Sequence, residues 1–329
     1  MLNCCPNLQS AQQFNHSAIL PLTNRNIYTG IGLATLAAFI WSGNFIIARG
    51  VYKQIGPVSL AFYRWIIATM IILPFAIKTF TREWSSVRRS GHYLFWVSLT
   101  GISLFNTFVY IAGHYTTAIN LALIGTTSSP IMSIIMARIF LKERIGWMKL
   151  LGMFICIAGI LFLLSKGNFK NLLTLKFSSG DAWMLMAAFC FAVYNILVRK
   201  KPASISPVNF LFVTFLFGSV LLLPFFIWEH DHAPVVYWNS RLIGSVLYLG
   251  IGASVICFFI WNISISILGA GRTALFGNLI PIFSSLEAVI ILHEEFSWIH
   301  IVSMITVFAG LLLANLRSIK FREQLKPAN

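Results

Sequence analysis

The chain alternates between long apolar runs and short polar segments from residue 28 to residue 316. Ten runs carry almost no charge: 28–48, 57–77, 92–112, 117–137, 150–165, 182–198, 207–227, 243–263, 274–292 and 298–316. Most of them approach the roughly 20 residues that a helix needs to cross the hydrocarbon core of a bilayer. None shows the sustained alternation of apolar and polar positions that a membrane barrel strand requires. The pattern therefore predicts an all-α membrane protein with ten transmembrane helices.

The composition supports a chain that uses the bilayer as its solvent. Of the 329 residues, 58% are hydrophobic and 10% are charged, and the mean hydropathy is +0.81. Soluble domains usually carry about 25% charged residues, so this chain has too few polar side chains to cover a soluble surface. Its five cysteines have no spacing typical of a zinc site or a disulfide framework. A soluble enzyme, a disordered chain and a disulfide scaffold are all excluded.

The net charge of +15 is explained by membrane topology rather than by nucleic-acid binding. Of the 24 lysines and arginines, 17 fall in the segments on the side of the N-terminus, 6 fall on the other side, and Arg64 lies inside a run. Basic residues favour the cytoplasmic side of a membrane. We therefore expect a multi-pass protein of the inner or plasma membrane with both termini cytoplasmic. Residues 1–26 are expected to form a polar tail and residues 317–329 a basic tail.

The chain partly matches itself at a constant shift of 150 or 151 residues. The matches include three proline pairs and one pair of glutamates: Pro57 and Pro207, Pro74 and Pro224, Pro130 and Pro281, and Glu143 and Glu294. They predict two five-helix repeats, 27–166 and 182–316, joined by an outer linker at 167–181. Because five is odd, the second repeat enters the membrane from the opposite side. Inverted repeats of this kind are typical of secondary transporters, although duplication in a non-transporting membrane protein is the alternative.

Several motifs resemble those of EamA-like permeases in the drug/metabolite transporter superfamily. Residues 41–45 (WSGNF) with Arg49 are similar to the first-span motif, and residues 61–65 (AFYRW) to the second-span motif. Further similarity is found at Tyr110, Ala118, Ala122, Leu123, Pro130 and residues 141–144, and again at Gly269, Ala270, Ala274, Pro281 and Glu294.

The resemblance covers about residues 30–316 and implies a ten-helix permease with cytoplasmic termini. Relatives of this kind move amino acids, aromatic compounds, nucleotide sugars, S-adenosylmethionine or drugs. Many also carry an acid directly before the ninth-span proline. Here Ile280 precedes Pro281 and the acid is Glu287, nearly two turns later. The resemblance therefore does not imply that Glu287 has the proton-coupling role of the acid that precedes the ninth-span proline in relatives.

Polar and aromatic side chains inside the runs are the candidates for a substrate cavity, because such groups tend to face the interior of a helix bundle. On the third run, Asn106 and Tyr110 share one helical face with Ser103 and Thr107. The remaining candidates are Trp41, Asn44, Trp261, Asn278 and Ser284. The alternative is that these groups only bond neighbouring helices to each other.

Pro130 and Pro281 are expected to lie in the middle of the fourth and ninth spans. A proline inside a helix removes a backbone hydrogen bond and kinks the helix. The two positions are thus candidates for bending during gating, or they only fix the angle at which the helices pack.

Arg64 and Glu287 are the only two charged residues inside the ten runs. A charge in this setting costs at least about 2.5–3.5 kcal/mol on insertion scales and needs a partner. We expect the two side chains to approach one another or to share one polar cavity. The pair is then either a structural ion pair or a site at which Arg64 attracts a substrate carboxylate.

The leading hypothesis is a secondary transporter that moves a small organic metabolite by alternating access without ATP. A non-transporting receptor or assembly factor is the alternative. The sequence contains no phosphate-binding glycine loop, zinc-helix motif or nucleophile elbow, so we expect no enzyme activity, cofactor or metal. The expected partners are a small-molecule substrate and the lipid bilayer. A proton as coupling ion, the substrate, the transport direction and the oligomeric state are left open.

Overall fold

The structure is a computed structural model that describes residues 24–140, 146–165, 167–168, 178–198, 200–268, 273 and 276–323. Within these ranges the chain is helical and contains no strand. Seven helices are long and apolar enough to cross a membrane, and the helical segments Leu150–Leu163, Gly277–Leu292 and Trp298–Gly310 are apolar but shorter. The chain is therefore an integral multi-pass membrane protein, as the apolar runs predict.

The helices follow one another in the order of the apolar runs. The first five are α1 (Asn24–Gly50), α2 (Pro57–Arg89), α3 (Gly91–Tyr115), α4 (Ala118–Phe140) and α5 (Trp147–Leu164). The next three are α6 (Ser179–Val198), α7 (Pro207–His232) and α8, which consists of the consecutive stretches Ser240–Leu247, Tyr248–Ile256 and Cys257–Leu268. Helix α9 contains a 3₁₀ turn (Gly277–Leu279) and an α-helical part (Ile280–Leu292), and α10 is Trp298–Glu323.

Helices α3 and α8 each contain a π-helical stretch that the hydrophobic pattern did not predict. The stretches are Leu99–Leu104 and Tyr248–Ile256, and they occupy matching positions at the shift of 150 or 151 residues. In α8 the wider turn lets Ser254 donate a hydrogen bond to the carbonyl of Leu249, five residues earlier, at 2.8 Å. Such π-bulges in α-helices are frequent at functional sites.

The helices pack in pairs that cross between the two halves of the chain. Helix α1 packs on α8 and α9, while α6 packs on α3 and α4. Helix α2 packs on α7, and α5 packs on α10. Small residues allow close approach: at Gly113 of α3, an added Cβ would collide with the backbone carbonyl of Ala48 in α1. The large buried core accordingly draws residues from both halves.

Glutamates at helix ends bind the backbone N–H groups that begin neighbouring helices. Glu229 of α7 accepts hydrogen bonds from Val58 N at 3.2 Å and Ser59 N at 2.6 Å, at the start of α2. Conversely, Glu83 of α2 accepts from Ser206 N at 2.9 Å, at the start of α7. A carboxylate in this position satisfies unpaired donors and complements the helix dipole. The antiparallel helices α2 and α7 are thereby fixed at both ends.

The two prolines occupy different positions, and the prediction of a mid-helix Pro281 is wrong. Pro130 lies inside α4, where its side chain is exposed. Pro281 lies in the first turn of the α-helical part of α9, directly after the 3₁₀ turn. A proline in a first turn removes no intrahelical hydrogen bond. Helix α9 therefore changes from a 3₁₀ turn to an α-helix just before Pro281, whereas in α4 the proline lies within a continuous α-helix.

Candidate functional site

Arg64 is 6% exposed, and its guanidinium lies at a junction of four helices. Its Nε donates a hydrogen bond to Ser254 Oγ of α8 at 2.9 Å. Its Nη1 lies 2.6 Å from Asn44 Oδ1 of α1, and 2.8 and 2.9 Å from Asn106 Oδ1 and Tyr110 Oη of α3. We call these five residues the Arg64 centre. It joins α2 to α1, α3 and α8, so it spans both halves of the chain.

The sequence pattern explains how α3 supplies two of the oxygens. Asn106 and Tyr110 are four residues apart in an α-helical stretch, so their side chains lie on one face. That face is turned towards Arg64, and the role of these two residues in lining a substrate cavity stays a prediction. Ser254 belongs to the π-helical stretch of α8, and nothing in the hydrophobic pattern indicated that this hydroxyl would reach α2.

The Arg64 centre leaves the cation without a neutralising partner. Three oxygens surround Nη1, which has only two hydrogens to donate. In contrast, Nη2 has no hydrogen-bond partner among the described residues. It is not fully buried, so part of its surface remains accessible. No carboxylate of the described residues lies within ion-pair distance of Arg64. The guanidinium also lies over the ring of Trp65, with Cζ 4.8 Å from the ring centroid, and Nη2 is the donor group without a hydrogen-bond acceptor among the described residues.

Trp41 and Trp261 form a second contact between α1 and α8. Their ring centroids are 5.0 Å apart, and Trp41 Nε1 donates a hydrogen bond to the carbonyl of Ala253 at 2.9 Å. Trp41 is thus packed against another helix and does not lie free at the membrane interface. A role of these two rings in lining a substrate cavity stays a prediction.

Glu287 of α9 lies on another side of α1. Ser42 Oγ of α1 donates a hydrogen bond to Glu287 Oε1 at 2.8 Å, whereas Oε2 is buried and has no partner. Ser284, one turn earlier, is fully buried, and its Oγ also has no partner. Glu287 lines a cavity of about 300 Å³ between α1, α8 and α9, together with Tyr248 and Arg241. Neither Ser42 nor Tyr248 was a sequence candidate, because single polar residues near apolar ones give no distinctive signal.

Arg64 and Glu287 do not form the ion pair that was one expectation from the sequence. Their hydrogen-bond partners on α1 are Asn44 and Ser42, respectively. Residues two apart on an α-helix point about 200° away from each other. The two charges are therefore held on opposite faces of α1, each by a neutral side chain.

Asn278 takes part in none of these contacts. It lies in the 3₁₀ turn at the start of α9, is half-buried, and makes no side-chain hydrogen bond to the described residues. Ser284 lies beside Glu287 on α9 rather than in the Arg64 centre. The structure thus places Asn44, Asn106 and Tyr110 with Arg64, and Ser284 with Glu287, whereas Trp41, Trp261 and Asn278 belong to neither polar region.

Comparison with known proteins gives one family for most of the chain. The EamA-like transporter family matches residues 28–165 and again residues 178–316. An uncharacterized transporter of Archaeoglobus fulgidus is 27% identical over 287 residues, which cover 85% of this chain and 95% of that protein. The uncharacterized transporter YyaM of Bacillus subtilis is 26% identical over 296 residues, covering 88% of this chain and 93% of its own.

One solved crystal structure shares the fold. It superposes with a TM-score of 0.59 at 17% sequence identity and covers 90% of this chain and 99% of its own. At that identity the likeness concerns the fold alone. The two family matches together span well over half of the chain, and the chain belongs to the EamA-like transporter family.

Proposed function

We propose that this protein is a secondary transporter that moves a small organic metabolite across the inner or plasma membrane by alternating access, without ATP. The observation that carries the proposal is the Arg64 centre, a cation buried among membrane helices and surrounded by neutral acceptors. Membership of a transporter family supports transport as such. The centre adds a place where a solute can bind between the two halves.

The pairing of helices supports a build of two inverted five-helix repeats, 27–166 and 182–316. Between the two repeats, α1 corresponds to α6, α3 to α8 and α4 to α9. The packing of α1 on α8 and α9 therefore corresponds to the packing of α6 on α3 and α4, and both sets of contacts are present. Helices α2 and α7 correspond to each other and pack together, and so do α5 and α10. In such a build the two repeats can swap conformations, which opens a central site first to one side and then to the other.

The chemistry of the Arg64 centre favours a solute that carries a carboxylate. A buried guanidinium without a counter-charge is unfavourable, and a carboxylate supplies both the missing negative charge and an oxygen that can accept a hydrogen bond from Nη2. Nη2 is the donor group that Ser254, Asn44, Asn106 and Tyr110 leave unoccupied. We therefore assign Arg64 the role of binding the anionic end of the substrate, with the oxygens around Nη1 holding the guanidinium in place.

The test is solute uptake into ATP-free liposomes that contain the purified protein. Phenylalanine, leucine, benzoate and adenosine serve as probes, together with phenethylamine, which lacks the carboxylate of phenylalanine. We expect saturable uptake of at least one carboxylate-bearing probe, loss of that uptake in Arg64→Gln, and retention in Arg88→Gln. Arg88 is a matched control because it is an exposed arginine on the same helix.

Two results would overturn this assignment. Absence of flux for every probe, with a folded protein in the liposomes, would favour a receptor or assembly factor. Uptake that needs ATP would contradict the secondary mechanism. If uptake is saturable but unchanged in Arg64→Gln, the transport function stands and the assignment of Arg64 fails.

A further inference from the structure

We propose that Glu287 is a proton-binding site and that α1 couples its protonation to the Arg64 centre. The inference rests on the proposed transport function and extends it, because it names the ion that drives or accompanies the solute. It is carried by three observations: the surroundings of Glu287, the cavity beside it, and the two contacts that α1 makes to Glu287 and Arg64.

The surroundings of Glu287 stabilise its neutral form better than its charged form. One hydroxyl, that of Ser42, binds Oε1, and Oε2 is buried without a donor. An ionised carboxylate needs several donors or a cation when it is removed from water. A proton on the carboxyl group removes the charge. The hydroxyl of Ser284, one turn away on the same helix, is also unpaired among the described residues and supplies no hydrogen bond to the carboxylate.

None of the titratable groups described around Glu287 supplies a positive charge that would stabilise its ionised carboxylate in place of a proton. On α8, Tyr248 donates its hydroxyl hydrogen to the carbonyl of Ile40 at 2.7 Å, and Arg241 is exposed and forms no ion pair with the residues that the structure describes. On α1 the contact is the neutral Ser42. Helix α4 has no titratable residue between positions 118 and 136, and α10 has none between 301 and 315. Glu294, beyond the end of α9, binds the backbone N–H groups of Ala118 and Ile119 instead.

A cavity of about 300 Å³ lies beside Glu287. Its lining extends from Glu287 to Gly50, Arg241 and Leu292, which lie where α1 and α9 end and where α8 begins. Glu287 lies five residues before Leu292, about 8 Å along the helix. This end of the bundle is the predicted outer side, so proton exchange is expected from there.

Helix α1 connects the two polar sites. Asn44 binds Arg64 and Ser42 binds Glu287 from opposite faces of the same turn. A carboxylate bound at Nη2 of Arg64 pulls on the guanidinium that Asn44 holds at Nη1, and so changes the position that α1 prefers. Any shift of α1 also changes the contact between Ser42 and Glu287. Coupling of this kind is reciprocal, so protonation of Glu287 changes the affinity of the Arg64 centre by the same factor.

Two measurements test the proposal, and the proton is the probe in both. In the first, infrared spectra of the purified protein in lipid record the stretching band of protonated carboxyl groups during a pH titration. We expect a band that titrates in the wild type, is missing in Glu287→Gln, and is retained in Asp231→Asn. Asp231 is the matched control, since it is an exposed acid at the end of α7. A band that is unchanged in Glu287→Gln overturns the proton site.

In the second measurement, liposomes with a clamped membrane potential carry a pH gradient while uptake of the probe solutes is followed. With one proton per solute, a gradient of one pH unit supports about tenfold accumulation, since about 1.4 kcal/mol corresponds to a factor of ten. We expect Glu287→Gln to keep solute exchange but to lose accumulation, so that the ratio of inner to outer concentration falls to about 1. Ser42→Ala is expected to keep exchange and to shift the pH profile of uptake.

The outcomes separate this inference from the proposed function. If no probe solute moves but the infrared band depends on Glu287, the proton site stands and the transport function fails. If solutes move equally with and without a pH gradient, in the wild type and in Glu287→Gln alike, the transport function stands and the coupling role of Glu287 is overturned.

Discussion

Asn44 Oδ1 lies 2.6 Å from Nη1 of Arg64, and this contact links α1 to α2 in the centre of the bundle. The same oxygen accepts a hydrogen bond from the hydroxyl of Tyr110 at 3.1 Å. Asn44 therefore orders both the cation and one of the groups that surround it. Hydrogen bonds to a charged group are stronger than those between neutral groups, so this contact fixes where the positive charge points.

Replacing Arg64 by lysine tests whether the guanidinium shape matters beyond its charge. A lysine keeps the positive charge but has a single nitrogen, so it cannot bind Ser254, the oxygens around Nη1 and a carboxylate together. Hydrogen bonds to charged groups contribute about 1.5–3 kcal/mol. We expect about tenfold or greater loss of apparent affinity for a carboxylate-bearing probe, measured from the concentration dependence of uptake. Unchanged affinity in Arg64→Lys would contradict a carboxylate contact that depends on the guanidinium.

Gly113→Ala is expected to destabilise the packing of α1 on α3. The added methyl group would meet the backbone carbonyl of Ala48, which cannot move without shifting the helix. Overpacking of this kind typically costs about 1–3 kcal/mol. The midpoint of thermal unfolding in detergent should fall by a few degrees. Gly32→Ala is the control, because no atom lies within 4 Å of its added Cβ, and its midpoint should be unchanged or higher.

Glu229→Ala is expected to loosen the start of α2. The substitution removes the acceptor of the hydrogen bonds from Val58 N and Ser59 N. Loss of a helix N-terminal acceptor costs about 0.5–2 kcal/mol. Thermal unfolding and limited proteolysis should both detect the change. Asp231→Ala is the control, because it removes an acid near the C-terminal end of α7, where a negative charge is unfavourable. An equal loss of stability in that variant would count against the role of Glu229 in capping α2.

The orientation of the two repeats can be tested with reporter fusions. The distribution of basic residues predicts that a reporter inserted near Lys170 lies outside and that one placed after Lys326 lies inside. Five helices between these points require the opposite locations. A third reporter near Lys201 should lie inside with the C-terminus. If the reporters near Lys170 and after Lys326 lie on one side, the build of five plus five helices is wrong.

The sequence predicts the helices well because their main signal, a long apolar run, depends on local composition. Pro57 and Pro207 begin α2 and α7, as prolines in a first turn can. The end of α2 was predicted too early, at residue 77, because its polar continuation to Arg89 remains helical outside the apolar run. The π-helical stretches were missed because they preserve the hydrophobic pattern and change only the hydrogen-bond register.

The sequence predicts some members of the candidate site but not their arrangement. Asn106 and Tyr110 share a helical face, so their common position follows from spacing alone. The separation of Arg64 from Glu287 does not, since it depends on which side of α1 meets α2 and which meets α9. Ser42 and Asn44 differ by two positions in the sequence, and only packing shows that each serves a different charge.

The central claim is that a solute passes through the protein by way of the Arg64 centre, and counterflow measures this most directly. Liposomes containing the protein are loaded with an unlabelled carboxylate-bearing probe and diluted into the labelled one, without ATP or an ion gradient. We predict saturable, transient accumulation of label with the wild type and with Arg88→Gln, and none with a folded Arg64→Gln. Equal counterflow in Arg64→Gln and the wild type would contradict the account.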